Sequence, residues 1–323
     1  MQAKEVPVST ENENDAKLIT SVEELFDQNK DLAMPAVDAE EEESSGQPEI
    51  VPNAEYFERY LAECYNEVLL SGSYELNQRS HPFGDRQLRQ ELADFLFRFH
   101  SISAEPDQII VGSGIEGLMF NILNLPSVIN PSGLKNDGLL SRAEHFQEYI
   151  RPRAAVSEGT SDATKKLFTD AHIQVKEVAV DDQGISFNSL LTSGTTLLYV
   201  TPFDVPEYSL EDPAERQQEL LDWVNEASYR YIIEYDASPE VSTLPTFKSK
   251  DKNDKVIYLN SFSSLLCKGI TASWTVLPKK VCEEYKARFE KFNCQLSYLE
   301  QLVLTLFLKK RHLDNYLESI QQQ

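Results

Sequence analysis

The chain has 323 residues, 41% of them hydrophobic, which is enough for one large α/β domain with additions or for two domains. Its formal net charge of −23 argues against nucleic acid as a direct partner, because phosphate binding needs a basic face. No apolar run is long enough to span a bilayer, and the opening residues carry no apolar signal core. The four cysteines, Cys64, Cys267, Cys282 and Cys294, form no CxxC pair and have no histidine at metal-ligand spacing. Free thiols in a reducing cytoplasm fit better than a disulfide framework or a zinc site.

Residues 1–53 hold 14 Asp/Glu and 3 Lys/Arg. The run Glu40 to Glu43, followed by Ser-Ser-Gly-Gln-Pro, reads as an acidic disordered tail. Order is expected from Ala54. Tyr56, Phe57, Tyr60, Leu61, Tyr65, Val68 and Leu69 recur at helical spacing. A loop containing His81 then leads to a helix cap at Asp85, with Leu88, Leu92, Phe95, Leu96 and Phe99 as the buried stripe. A short strand over 108–111 runs into Gly112-Ser113-Gly114 and a helix over 115–125. Strand, glycine turn and helix N-terminus form an anion-binding geometry, although the same residues can serve only to cap their neighbours.

Further on, helices are expected over 139–150, 162–170 and 215–227, with strands over 154–156, 173–180, 196–200 and 231–234. Two more strands, 256–259 and 272–277, flank a hydroxyl-rich turn from Asn260 to Ser264. Helices over 281–292 and 296–319 close the chain. Short apolar strands alternating with helices predict an α/β fold: a mostly parallel sheet with helices on both faces. The division expected is a tail (1–53), a large domain (54–280) and a helical start of a truncated small domain (281–323).

Several segments in order resemble the large domain of pyridoxal phosphate (PLP) enzymes of fold type I, the class I/II aminotransferases. The nearest likeness is to the aminotransferase-like effector domain of MocR/GntR-type transcription regulators. The segments are FGDRQLRQELADFLFRFHSI, PDQIIVGSGIEGLMFNIL, VKEVAVDDQGI, LLYVTPFDVPEYSL, YIIEYDASPEV and VIYLNSFSSLLCKGITASWTVLP. The resemblance implies a phosphate cradle at Ser113, Gly114 and Ile115, completed by Ser261, Ser263 and Thr271. It also implies an imine-forming lysine, but Ser264 stands there, and a hydroxyl cannot form an imine. Tyr235 replaces the acid that protonates the cofactor ring. Ala237 replaces the tyrosine that bonds the ring oxygen, and Thr271 replaces the phosphate arginine. The ring-stacking aromatic falls near Asp162. Lys268 is the one candidate for a displaced imine lysine, or is a solvated loop residue.

The expectation is therefore a non-catalytic protein of aminotransferase fold with a regulatory or effector-sensing role. No cofactor is then expected, with PLP as the one candidate, a small anion or amino-acid-like molecule is the expected effector, and a homodimer through the first helix is the expected assembly. The alternative is a PLP-dependent aminotransferase-like enzyme with an altered site. The acidic residues before the domain show no helix-turn-helix pattern, so direct DNA binding by this chain is not expected. Asp236 lies one residue beyond Tyr235 and should face the opposite side of the sheet. Glu234 and Asp236 share a face, and with no lysine in sight in the sequence they read as residual scaffold.

Overall fold

A computed structural model describes residues 54–72, 76–129, 152–201, 213–236 and 245–321. The acidic tail, the helix expected over 139–150 and Ala237 lie outside the described residues.

The first helix, α1 (Ala54–Leu70), buries Phe57, Leu61, Cys64 and Val68, one stripe at three- and four-residue spacing. Leu69 and Leu70 fall off that stripe and remain exposed. Helix α2 (Arg86–His100) starts at Asp85, whose Oδ1 accepts from the backbone N–H of Gln87 (2.8 Å) and Leu88 (3.2 Å). Strand β1 (Ile109–Ser113) leads into α3 (Ile115–Leu123) and the single turn α4 (Pro126–Ile129). Next come β2 (Arg153–Ser157), α5 (Asp162–Asp170), β3 (Gln174–Val178), the pair β4 (Val180–Asp181) and β5 (Gly184–Ile185), and α6 (Phe187–Ser193). After them run β6 (Leu197–Val200), α7 (Pro213–Asn225), β7 (Tyr231–Tyr235), α8 (Phe247–Lys250), β8 (Val256–Ser261), α9 (Phe262–Leu265) and β9 (Ala272–Val276). Helices α10 (Lys279–Phe289), α11 (Tyr298–Lys309) and α12 (His312–Gln321) end the described chain.

Seven strands form one sheet in the order β1-β9-β8-β7-β6-β2-β3. Strands β8, β7, β6, β2 and β3 are mutually parallel, and β9 runs antiparallel to both β8 and β1. The mostly parallel sheet predicted from the alternation of elements is present. Its strands are near-continuous apolar runs because both faces are covered. Residues Ile233, Ile257 and Leu259 point to one face, where α3 and α10 supply Leu118, Met119, Val281 and Tyr285. Tyr258, Trp274 and Val276 point to the other and pack on α1, α2, α11 and α12 through Phe57, Leu92, Phe307 and Leu317. Ile232, Val200 and Leu198 continue that second face under α6 and α7, against Leu190, Leu221 and Trp223.

One expected element is corrected. Residues 296–319 do not form a single helix, because the chain breaks between α11 and α12 with Arg311 at φ 63. A straight helix of that length would run about 36 Å and overshoot the core. The break lets Leu313, Tyr316 and Leu317 join the same apolar cluster as Leu302, Val303 and Phe307. It is pinned by the Tyr56 hydroxyl, which donates to the His312 carbonyl (2.9 Å), and by stacking of His312 on Tyr60 (4.2 Å between centroids). Four short helices, α4, α6, α8 and α9, were not expected at all.

Candidate functional site

The carboxyl ends of the parallel strands, together with the start of β9, build the candidate site. At the end of β1 the glycine turn is dictated by close packing. A Cβ on Gly112 would meet the Leu118 side chain at 2.8 Å, and Gly114 sits at φ 84, where only glycine is unstrained. The Gly114 N–H donates to the Thr271 carbonyl (2.7 Å), and the Ser113 and Thr271 hydroxyls are 3.1 Å apart. The turn is thus tied to the strand that pairs with it, where Ser113 and Ala272 are register partners. Ile115 opens α3 and packs on the apolar cluster beneath.

Two strands away, β8 ends in a second hydroxyl group. Ser261 Oγ lies 2.8 Å from Ser263 Oγ and 3.2 Å from Ser264 Oγ, and the Ser264 hydroxyl donates to the Ser261 carbonyl (2.9 Å). Ser264 therefore bonds within its own turn. Tyr235, at the end of the adjacent β7, is half-buried on the same apolar cluster as Ile115. Burial raises the pKa of its phenol, and a hydrogen bond with Ser261 pulls it partly back. The carboxylates of Glu116 and Asp236 raise it further.

Of the residues expected at the site, the structure pairs Ser113 with Thr271 and gathers Ser261, Ser263, Ser264 and Tyr235 into a second group. Ser113 ends β1 and Ser261 ends β8, the two strands that flank β9, whereas Tyr235 ends β7, one strand further along the sheet. Lys268 lies exposed in the turn closed by the Ile270 N–H on the Cys267 carbonyl (3.0 Å). Asp162 is exposed in the first turn of α5, next to the Ser161 cap.

Glu116 is a residue of this site that the expected cradle does not include. It is the second residue of α3, and its Oε2 folds back to 3.2 Å from the place a Cβ on Gly114 would take. A carboxylate there satisfies the positive end of the helix. The same carboxylate would repel the small anion expected at this turn. An acidic residue two positions after the glycine turn is the sequence signal that points to it.

The opposite face carries a polar network in which Asp236 does point away from Tyr235, as its position one residue on requires. Its Oδ2 accepts from the buried Tyr258 hydroxyl (2.9 Å), and His100 Nδ1 lies 3.3 Å away. Asn260 Nδ2 donates to the Tyr258 hydroxyl (2.9 Å), and Asn260 Oδ1 accepts from the Ser261 N–H (2.6 Å). Burial and then the Asp236 charge push the Tyr258 phenol well above its usual range. Glu234, on the same face, caps α8: its two oxygens accept from the backbone N–H groups of Phe247 (2.7 Å) and Lys248 (2.9 Å). Burial first, then Asp236, raises Glu234 from 4.5 to about 8. A lysine is therefore close to this acid after all, although the Lys248 ammonium binds the Val256 carbonyl (2.9 Å) and Asp251 (3.3 Å) instead.

The residues present do not fit PLP. The cofactor needs an amine for its aldehyde, an acid for its ring nitrogen and donors for its phosphate. The structure offers a serine bonded within its own turn, a phenol at the position of the ring acid and a carboxylate near the helix end. Among the described residues no cluster of His, Cys, Asp or Glu suits a metal ion, and no helix is long and apolar enough to cross a membrane.

No family model matches the chain. Solved aminotransferases superpose on it. Kynurenine aminotransferase of Pyrococcus horikoshii gives a TM-score of 0.65 at 18% identity, covering 84% of this chain and 65% of that one. Aspartate aminotransferase of Thermus thermophilus gives 0.64 at 15% identity, covering 81% and 64%. The chain has the aminotransferase fold. Its curated relatives bear a different label: YdeL and YhdI of Bacillus subtilis, both named uncharacterized HTH-type transcriptional regulators. YdeL is 25% identical over 243 residues, 73% of this chain and 47% of its own length. YhdI is 25% identical over 243 residues, 74% of this chain and 46% of its own. The chain thus spans about half the length of the curated relatives it matches and under two thirds of these aminotransferases. Aminotransferase fold and regulator relatives together agree with the aminotransferase-like effector domain that the sequence segments resemble.

Proposed function

We propose that this chain is a non-catalytic module of aminotransferase fold with a regulatory, effector-sensing role, and that it does not transaminate. The observation that carries this reading is Ser264. It occupies the position of the imine lysine, and its hydroxyl is bonded to the Ser261 carbonyl rather than turned toward a reactant. The replacement of the ring acid by Tyr235 supports the same reading, as does the naming of the curated relatives as transcriptional regulators. The module acts through what it contacts, as a homodimer and without reading DNA itself, in a cytoplasmic setting that suits its four free cysteines.

The test is addition of PLP to the full chain, with the visible spectrum read before and after borohydride reduction. No internal-aldimine band and no lysine-linked adduct are expected. A reducible band with the adduct mapped to Lys268 would establish the altered-site enzyme instead. A gel shift with duplex DNA at low salt checks the second part of the reading, and tight binding there would overturn it.

A further inference from the structure

Helix α11 is enclosed on all sides, with every side chain from Gln301 to Leu308 buried. Helix α1 is one of its covers. Phe57 of α1 packs on Phe307 (6.2 Å between ring centroids) and on Tyr316 of α12 (4.4 Å). His312 sits where this seam meets the break between α11 and α12. Its ring lies nearly flat on Tyr60 of α1 (4.2 Å, 26° between planes) and against Phe307 (5.3 Å). Its Nε2 is enclosed and has no hydrogen-bond partner among the described residues. A neutral ring tolerates this place, because Nε2 can be the nitrogen that carries a lone pair and no hydrogen. Protonation puts an N–H there without an acceptor, and a charge with it.

The surroundings oppose that charge. His312 is the first residue of α12, at the positive end of a ten-residue helix. Lys310 precedes it by two residues, and burial first, then Lys310, lowers the pKa of the imidazole. Glu63 of α1 acts the other way, but its carboxylate also lies 3.8 Å from Arg59. The remaining acids at the seam are taken: Glu67 pairs with Lys310, and Asp314 with Arg98 (2.9 Å) and Arg311 (2.8 Å). The face of Tyr60 could attract a cation, yet the Arg59 guanidinium is already 5.8 Å from its centroid.

We infer that His312 is a proton-operated latch, which seats α1 on α11 and α12 while the imidazole is neutral and loosens it when the ring takes a proton. The folded-state pKa lies below the ordinary 6.5, so the contribution of His312 to the seating is fully present above 6.5 and is lost as pH falls through the lowered value. Loosening α1 uncovers apolar side chains of α11, Phe307 among them, that the neutral latch keeps dry. The latch does not depend on the strand-end site, and a chain that bound PLP would carry it unchanged.

Once released, the imidazole titrates near its ordinary value, so moving from pH 7.5 to 5.5 favours release by about tenfold at most. Amide hydrogen exchange, corrected for the intrinsic effect of pH on the amide rate, is followed at both pH values in the full chain and in His312→Phe. The phenylalanine keeps a ring for the stack and cannot titrate. In the natural chain the amides of α1 are expected to lose protection several-fold, toward that ceiling, and in the variant by less than about twofold. The amides of β6, β7 and β8 are expected to lose none. No loss in α1, an equal loss in His312→Phe, or a loss shared by the strands overturns the inference. Should His312→Phe fail to fold, the natural chain decides through the titration of the His312 ring, followed by NMR. The ring is expected to titrate below 6.5 and in step with the loss of protection in α1. A ring that titrates at or above 6.5, or out of step with α1, refutes the latch.

Discussion

Two residues in a row, Tyr235 and Asp236, serve opposite faces of one sheet edge, and the faces have diverged in kind. On the Tyr235 face the polar groups are hydroxyls bonded to one another, Ser261 buried and Ser263 and Ser264 partly exposed, above an apolar floor. On the Asp236 face a carboxylate, an imidazole, a phenol and an amide are enclosed and interlocked. The first arrangement is a chain of neutral groups, each of which water could replace. The second places charge in the interior, where a missing partner is costly. Polar chemistry at a strand end therefore does not mark a reactive site by its presence alone. In this protein the more elaborate network is the one that holds the fold.

The sharpest way to break that comparison is to remove one acid and one hydroxyl. Asp236→Ala removes the acceptor of the Tyr258 hydroxyl proton and the partner of His100 in the core and is expected to cost about 3 kcal/mol in urea unfolding. Ser264→Ala removes one turn hydrogen bond and is expected to cost about 1 kcal/mol or less. Equal losses would erase the distinction between the faces.

The next effect is on pH. The folded-state pKa of Glu234 is raised from 4.5 to about 8, so its contribution to stability is fully present below 4.5 and is lost as pH rises through about 8. Unfolding free energy should therefore fall across that window, and Glu234→Gln should flatten the fall. A slope unchanged in the variant assigns the pH response to other groups.

The smallest effect belongs to Lys268. Replacing the exposed lysine by methionine should shift stability by no more than about 0.5 kcal/mol. A lysine that matters to the site would show instead as a changed spectrum with PLP.

The fold was legible where sequence periodicity and side-chain burial coincide. LLYV, YIIEY and VIYL are runs that only a sheet covered on both faces can absorb, and their alternation with helices implied parallel pairing. The break between α11 and α12 was not legible. Lys310 and Arg311 are good helix formers, no glycine or proline marks the turn, and the contacts that fix it come from Tyr56 and Tyr60 at the far end of the chain. In the site, the frame of positions could be read because strand ends and glycine turns have local signatures. What fills the frame could not. The mutual bonding of Ser261, Ser263 and Ser264 and the fold-back of Glu116 depend on local backbone geometry and on side-chain rotation. Likewise His100 has no local sequence signature, and only the packing of α2 on the sheet brings it to Asp236.

Strand β9 carries a consequence for how the molecule is made. Among the described strands, β1 pairs only with β9, and the Ser113–Thr271 contact joins residues 158 apart. The parallel strands from β3 to β8 are complete before β9 leaves the ribosome, whereas β1 waits with its apolar residues uncovered on that side. Closure of such a distant pair is entropically slow. The glycine turn, and with it the candidate site, is thus among the last parts of the sheet to be assembled. Any chain interrupted before residue 272 would carry two unpaired strand edges, β1 and β8, in place of one finished one.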